Sequence, residues 1–484
     1  MPRQLLADCL KDIFEYLYDD KNTLYSCLLV NHLCCEIAVR ILWRDVRKFY
    51  DYNDTPHIPL SVIYTLIACL PKGSEEILHE NGINITIPIQ KPPLFNYASF
   101  CKVISIYRIN DMLKYTLEKQ QSNISKVLQN LILQEILKML MNQISSLKAL
   151  KYNVYISHSE DIDVLSIAKI HLANLVELKC DSDICSEFIS QISHNLQSLT
   201  IDFKPNISNR LLDLIFSQNN LKIVNLRNFQ DYNYRIFISS LTKQSLILTK
   251  LTLKNCKISI PFIAMFKNLQ ELILNQKNGE YTFYQLQDAH FSQLKILKIS
   301  IYDDDSDVDL LINFLEINGK NLTEFYIYHY HNESINIALA DFCPNLRILC
   351  TQIKENEEEI FKLILNNCKY LEIIEYRSGF DDLFYFFEIL ANYSRKYFYG
   401  LILEYFAGSS IDAIYDDLER FFINWQDRTS QRPLSLIISI TDCVYNYSTK
   451  SKNDIKILVK EYMELGIKIQ KFEIKKIPFC KIIY

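Results

Sequence analysis

Asn268-Leu269-Gln270-Glu271-Leu272-Ile273-Leu274 decides how this chain folds. After an asparagine it places leucines in the order Leu-x-x-Leu-x-Leu. The last two are separated by one residue, so in an extended segment they point to one side and Ile273 to the other. The hexad recurs in both directions. Upstream it reads Asn174-Leu175 with Leu178, Asn195-Leu196 with Leu199-Thr200-Ile201, Asn220-Leu221 with Val224-Asn225-Leu226, and Leu248 with Leu251-Thr252-Leu253. Downstream it reads Leu294 with Leu297-Lys298-Ile299, Asn321-Leu322 with Phe325-Tyr326-Ile327, Asn345-Leu346 with Leu349, Leu371 with Ile374, and a weaker Phe398 with Leu401-Ile402-Leu403. Successive first positions are 21, 25, 27, 21, 25, 28, 24, 25 and 27 residues apart. Leu147 with Leu150 is an earlier weak copy. One such strand cannot bury its apolar side alone, whereas stacked copies share a continuous core.

Between the hexads lie helical patterns. Ser208–Asn219 carries Leu211, Leu212, Ile215 and Phe216 at helical spacing, and Ile411–Phe422 does the same. Ile360–Leu365 follows the acids Glu355 and Glu357–Glu359, which suit a helix N-terminus. The unit is strand, turn, helix, turn. Its period falls within the ~20 to 29 residues of leucine-rich repeats, and the array resembles the ribonuclease-inhibitor-like type. Leu251-Thr252-Leu253-Lys254-Asn255-Cys256 also keeps the cysteine of the cysteine-containing subtype. The fold class expected for residues 147–484 is therefore α/β: an irregular solenoid with a curved parallel sheet inside and helices outside, degenerating towards its C-terminal end.

The first 46 residues differ. Leu6, Leu10, Ile13, Phe14 and Leu17 form one stripe of an amphipathic helix over Leu5–Leu17. A second helix is predicted over Thr23–Asn31 and a third over Cys35–Leu42, closed by Trp43-Arg44-Asp45-Val46. So small a module holds too little core for strong independent stability and needs a partner or a docked neighbour.

This segment resembles an F-box motif. The family's pattern is met by Leu5, by Leu10, Ile13-Phe14 and Leu17, by Leu24 and Cys27–Val30, and by Leu42-Trp43-Arg44. Leu6 replaces the family's proline and Cys34 its usual tryptophan, both at positions where family members touch their adaptor. Joined to the array, the chain is similar to F-box/leucine-rich-repeat proteins over nearly its whole length. The resemblance implies that a small all-α three-helix module docks on a Skp-type adaptor through Leu5, Leu6, Leu10, Ile13, Phe14, Leu17, Leu28, Val30 and Trp43. That adaptor would connect it to a cullin-RING ubiquitin ligase, and the repeats would hold a protein substrate for ubiquitin transfer. The chain itself is then no enzyme. The alternative is a repeat scaffold whose N-terminal helices only cap the solenoid.

Residues 47–146 read as a mixed connector and array entry, broken by Pro56, Pro59, Pro71, Pro88, Pro92 and Pro93. Val62–Leu70 reads as a helix, Ile83–Ile89 as a strand, Phe100–Ile106 as a degenerate first repeat strand, and 123–141 as a helix entering the array. Beyond Tyr405, Leu434–Ile440 and Ile467–Ile474 read as last strands.

Composition narrows the function. The 484 residues hold 52 Lys and Arg against 57 Asp and Glu, a net charge of −5, so no global basic field invites nucleic acid. The 14 cysteines include no C-x-x-C pair, which argues for reduced, mostly buried thiols and a cytoplasmic or nuclear setting. No run approaches the ~18 to 20 apolar residues that span a bilayer. Phosphate-binding, zinc-protease and hydrolase motifs are missing, and neither cofactor nor metal is expected. Asp303, Asp305, Asp307 and Asp309 imitate a calcium loop, but Val308 and Phe314 stand where its glycine and last acid belong, so a polar turn before a helix is expected. His329 and His331 have no further ligand at an established spacing and read as a loop or strand end. Recognition is expected on the concave face, beside the strand leucines, at Lys179, Asn225, Arg227, Lys250, Lys254, Lys298, Glu324, Tyr326, Tyr328 and Arg377. Mixed signs with tyrosine suit a protein partner.

Overall fold

A computed structural model describes residues 7–46, 60–83, 92–120, 125–152, 172–183, 189, 191, 193–229, 234–256, 260–275, 286, 289–300, 308–328, 330–378, 384–405, 411–426, 432–441 and 452–477. The chain divides into two compact units, Met1–Ile223 with Arg235–Lys243, and Val224–Tyr234 with Gln244–Tyr484. Within each, short strands pair in parallel with the next strand in chain order, and helices run between them. This is the expected α/β repeat architecture.

The first unit opens with α1 (Ala7–Glu15), α2 (Lys21–Cys27) and α3 (His32–Leu42). Local chemistry sets their starts. The Thr23 N–H donates to Asp20 at 3.1 Å and the Cys34 N–H to Asn31 at 2.9 Å, each satisfying an amide that a first helical turn leaves unpaired. The Asn31 cap starts α3 three residues before the point that apolar spacing marks. Phe14, Leu24, Ile37, Ala38, Ile41 and Trp43 are buried among the three helices and their neighbours. Arg44 clasps Glu15 with bonds of 2.6 and 2.8 Å, tying the end of α3 to α1.

No break separates this module from the array. The Arg44 carbonyl accepts from the Lys102 and Val103 N–H groups at 2.9 and 3.1 Å, and Asp45 bridges Val103 in parallel. The module's own backbone therefore supplies the rung before β1 (Val103–Ser105), the degenerate strand expected there. β2 (Ala149–Tyr152), β3 (Glu177–Asp181) and β4 (Ser198–Asp202) follow. Ile104, Leu150, Leu178 and Leu199 stand opposite one another. The stretch before β2 is mostly helical: Leu60–Ala68, Lys72–Glu80, Tyr97–Phe100, Ile106–Lys119 and Lys126–Gln143. The sequence reading places no helix over Ile106–Lys119, although Ile106, Ile109, Met112, Leu113 and Leu117 keep helical spacing there, or over Lys72–Glu80, which follows Pro71 and carries only Ile77 and Leu78 as apolar residues. The strand expected over Ile83–Ile89 lies, beyond Ile83, outside the described residues.

The second unit opens at β5 (Ile223–Arg227) and continues through β6 (Lys250–Lys254), β7 (Glu271–Asn275), β8 (Ile296–Ser300), β9 (Glu324–Tyr328), β10 (Ile348–Thr351), β11 (Ile373–Ser378), β12 (Gly400–Tyr405), β13 (Leu434–Thr441) and β14 (Ile469–Ile477). From β6 to β13, Leu251, Leu272, Leu297, Phe325, Leu349, Ile374, Leu401 and Leu436 pair in one row. All are at most 1% exposed. A one-residue slip would turn every one of them outward, so the hexad fixes the register. Later repeats fill the space between sheet and helices with rings: Phe361 stacks on Phe386 at 4.8 Å, and Phe387, Phe421 and Trp425 follow at 5.1 and 5.2 Å.

Buried polar side chains join one repeat to the next. At the end of the helix Asn209–Ser217, Gln218 donates to the Ser193 carbonyl at 2.6 Å and accepts from the Leu196 N–H at 2.9 Å. Ser193 in turn donates to the Leu172 carbonyl at 3.0 Å. Asn318, ending the helix Val308–Asn318, donates to the Ala289 carbonyl at 2.9 Å and accepts from the Phe291 N–H at 2.7 Å. The Cys368 thiol reaches the Cys343 carbonyl at 3.4 Å. Each of these residues lies three or four positions before a repeat's first leucine or precedes its turn. The asparagine that heads several hexads has a similar task nearer the surface: Asn268, Asn321 and Asn345 donate to the carbonyls of Leu246, Phe291 and Lys320. Asn255 adopts φ 51°, a left-handed turn that asparagine tolerates, and this brings Cys256 back into the core against the Leu226 carbonyl at 3.4 Å.

Asn318→Leu should therefore cost about 2–4 kcal/mol in urea unfolding, because it strands two buried backbone groups. Asn345→Ala, at the exposed equivalent, should cost under about 1 kcal/mol. Equal losses would refute the distinction.

Candidate functional site

Two surfaces merit attention, one on each unit. On the first, α1 and the turns that follow α1 and α2 leave apolar side chains uncovered: Ile13 is 48% exposed, Tyr16 92%, Leu29 89% and Val30 65%. Leu10, Leu17 and Leu28 are half-buried. Phe14 and Trp43 do not belong to this surface. Both are buried, and the Trp43 ring packs at 4.7 Å against Tyr97. Cys34 is buried as well. Leu5 and Leu6 lie outside the described residues. Phe14 and Trp43 share the spacing of the docking positions, and only packing separates core from surface at that spacing. Tyr16 and Leu29 were not singled out from sequence, since exposed apolar residues leave no periodic signal.

On the second unit, alternation puts the residues between the strand leucines on the opposite, helix-free face of the sheet. Register then aligns them. Lys298, Tyr326, Cys350 and Glu375 stand in one row, and Arg377 pairs with Glu404 in the next. The Lys298 ammonium sits 4.1 Å from the centre of the Tyr326 ring, and the Arg377 guanidinium 4.1 Å from that of Tyr328. Tyr326 donates its hydroxyl to Glu324 at 3.1 Å. Arg377 lies 3.3 Å from Glu375 and 2.9 Å from Glu404. Both carboxylates and the guanidinium are 13–16% exposed, so this is a fixed polar floor and not a fringe of mobile charges.

Burial dominates its electrostatics. It pushes the Tyr326 and Tyr328 hydroxyls far up, with the charges of Glu324 and Glu375 adding to it. The Cys350 thiol is raised well above its ordinary value by burial and then by Glu375. Burial also raises Glu404, against the opposing pull of Arg377. For Arg377, burial acts downward but the surrounding negative groups, Glu404 foremost, outweigh it. The hydroxyls and the thiol therefore stay protonated, and the floor offers hydrogen bonds and fixed charge, with no activated nucleophile.

The structure brings Lys298, Glu324, Tyr326, Tyr328 and Arg377 together, and adds Cys350 and Glu404. Glu404 follows the weakest hexad, one residue past its final leucine, just as Arg377 follows Tyr376. Lys250 pairs with Glu271 at 2.9 Å on β6 and β7, with Lys254 opposite Asn275. Asn225 and Arg227 lie on β5. Lys179 lies in the first unit, opposite Thr200. His331 has an acid partner that spacing does not reveal: its Nε2 is 2.7 Å from Glu357, a carboxylate 2% exposed that also meets the Lys354 N–H at 3.2 Å and Asn336 at 3.3 Å. Thr351 completes the group by donating to Asn336 at 2.8 Å. This network locks the turn between β10 and the helix Glu358–Asn367. His329 and Asp303–Asp307 lie outside the described residues. Among the described residues no three acids, histidines or cysteines gather as a metal site, and no helix is long and apolar enough to cross a membrane.

No family model and no curated protein matches the chain. Among solved structures it is similar to one described as the crystal structure of the Rad7 and Elc1 complex in yeast. The identity is 14% and the TM-score 0.39, over 74% of this chain and 81% of that one.

Arg377→Met should destabilise the protein by about 3 kcal/mol near pH 7, since it leaves two nearly buried carboxylates without their cation. Glu404 gives this deficit a pH dependence. Its folded value lies above its unfolded one, so its favourable contribution is complete below the unfolded value of 4.5 and is lost as pH rises through the folded value. Removing Arg377 raises the folded value further. Urea midpoints of the variant and wild type should converge on acidification towards pH 4.5. A deficit independent of pH would show that Arg377 acts through packing alone.

Proposed function

We propose that the chain is the substrate-recognition subunit of a Skp-cullin-F-box type ubiquitin ligase, working in the cytoplasm or nucleus. The observation that carries this reading is the uncovered apolar group Ile13, Tyr16, Leu29 and Val30 on a three-helix module whose own core is already filled by Phe14, Leu24 and Trp43. Apolar side chains that remain after a module has packed are those available to a partner. The F-box-like spacing of the same helices supports a Skp-type adaptor as that partner. The polar floor of Lys298, Tyr326, Tyr328, Glu375, Arg377 and Glu404 would then receive the protein substrate, with the aromatic and arginine content that tight protein contacts favour. The chain binds and positions in this reading, and performs no chemistry of its own.

A second reading has one specific observation in its favour. Because the Arg44 carbonyl and Asp45 extend the backbone pairing of β1, the module also works as a cap on the array. A protein in which it did only that would be a scaffold.

Co-expression with a Skp-type adaptor tests the proposal. Wild type should recover the adaptor, and Ile13→Asp should lose it with an unchanged melting temperature, because an aspartate at a half-exposed position harms only a docked interface. Equal recovery by wild type and by a chain lacking residues 1–46 would refute it. If wild type recovers no adaptor while that truncation lowers the melting temperature, the module is a cap only.

A further inference from the structure

The turns that enter β10, β11, β12 and β13 carry an excess of positive charge. Arg347, Lys369, Arg395, Lys396 and Arg432 are exposed there, against one acid, Glu372, among the described residues of these turns. The helices Glu358–Asn367, Phe384–Tyr393 and Ile411–Gln426 end at this edge without an acid in their last turns. Their C-terminal partial charges amount to about −0.5 each, which is too little to offset the cations.

The cations are also organised. Lys396 and Arg432 flank the Tyr397 ring at 5.1 and 5.5 Å from its centre, and Tyr370 lies 6.0 Å from that ring. Arg395 is held by the Asn366 carbonyl at 2.8 Å. Arg347, Arg432, Tyr399 and Gln470 line an open cleft of about 430 Å³. Within it Glu372 is already bound by Arg347 at 2.7 Å, so the edge displays a carboxylate in the geometry it can hold.

We infer that this edge is a docking surface for a short acidic segment of a partner protein. Its length follows from the strand spacing: β10 to β13 cover about 14 Å, the reach of roughly four or five extended residues. A long polyanion such as nucleic acid would meet a chain of net charge −5, with Glu461 and Glu464 exposed in the last turn of the helix beyond β13. An acidic segment seated in the cleft and against its tyrosines repeats the contact that Glu372 already makes there with Arg347. The surface is distinct from the helix module and from the polar floor, so it stands whether or not the ligase reading does.

Fluorescence anisotropy on the full chain tests this with three labelled probes: a peptide alternating Glu and Ser, the same peptide with Gln for Glu, and an oligothymidylate of equal charge. The Glu peptide should bind, and its affinity should weaken as salt is added. The Gln peptide should not bind. Lys396→Glu combined with Arg432→Glu should weaken the Glu peptide roughly tenfold or more, from two reversed contacts. Lys456→Glu, exposed on the helix Lys452–Glu464, should leave it unchanged. Circular dichroism confirms that the double variant is folded. The inference is overturned by wild type that fails to bind the Glu peptide, by a double variant that binds it as well as wild type, or by tighter binding of the oligothymidylate.

Discussion

Everything in this molecule depends on one constraint: a strand with leucines on one side must have a parallel neighbour in the same register. In the second unit eight consecutive strands meet it, with Leu251, Leu272, Leu297, Phe325, Leu349, Ile374, Leu401 and Leu436 in a single buried row. Parallel pairing requires a crossover, and most crossovers here contain a described helix. The leucines take one side of the sheet. The intervening positions are consequently free of packing duty, and it is on them that Tyr326, Tyr328, Glu375, Arg377 and Glu404 assemble. A repeat that solves the folding problem with one face leaves the residue types on the other unconstrained by the leucine core.

Stacking also creates a polar problem, because every turn between helix and strand buries backbone groups that no ladder satisfies. Gln218, Asn318, Ser193 and Cys368 answer it by bonding to the neighbouring repeat. These contacts are specific where leucine packing is permissive. An apolar core accepts many arrangements of leucine, but an amide that must meet one carbonyl and one N–H accepts only one. The buried Glu357 with His331, Asn336 and Lys354 does the same at a strand end. Such groups contribute less to net stability than their number implies, and more to keeping the irregular repeats in one alignment.

How far the fold is legible from sequence follows from this division of labour. The leucine rows repeat, so period locates the strands from Leu178 to Leu403, whereas the degenerate β1 and Leu434–Ile440 lie outside the regular steps and are legible only as apolar segments. The amides do not repeat in type: glutamine, serine, asparagine and cysteine occupy equivalent places, and a pattern search sees no motif in them. The helix Ile106–Lys119 has an intact apolar stripe at Ile106, Ile109, Met112, Leu113 and Leu117, but it lies outside the repeat period that organises the rest. The candidate site is half legible. Period identifies which residues share the open face, and so selects Lys298, Tyr326, Tyr328 and Arg377. It does not say which of them meet, because that depends on side-chain reach across strands; Glu404 and Cys350 emerge only from register. Phe14 and Trp43 show the converse, residues whose spacing fits a docking surface and whose packing assigns them to the core.

The N-terminal module sits where these arguments intersect. A repeat array exposes a raw strand edge at its start, and an unpaired edge invites aggregation. Here the edge of β1 is covered by the Arg44 carbonyl and by Asp45, the residues that directly follow α3 and Trp43. The Glu15–Arg44 clasp then couples α1 to that rung. Capping thus uses the end of the module and consumes its Phe14–Trp43 core, whereas Ile13, Tyr16, Leu29 and Val30 take no part in it. Capping does not require those four to be apolar, since polar residues there would fold equally well and stay more soluble. Capping explains why the module is attached, and the four uncovered apolar side chains are the ones the proposed adaptor contact would use.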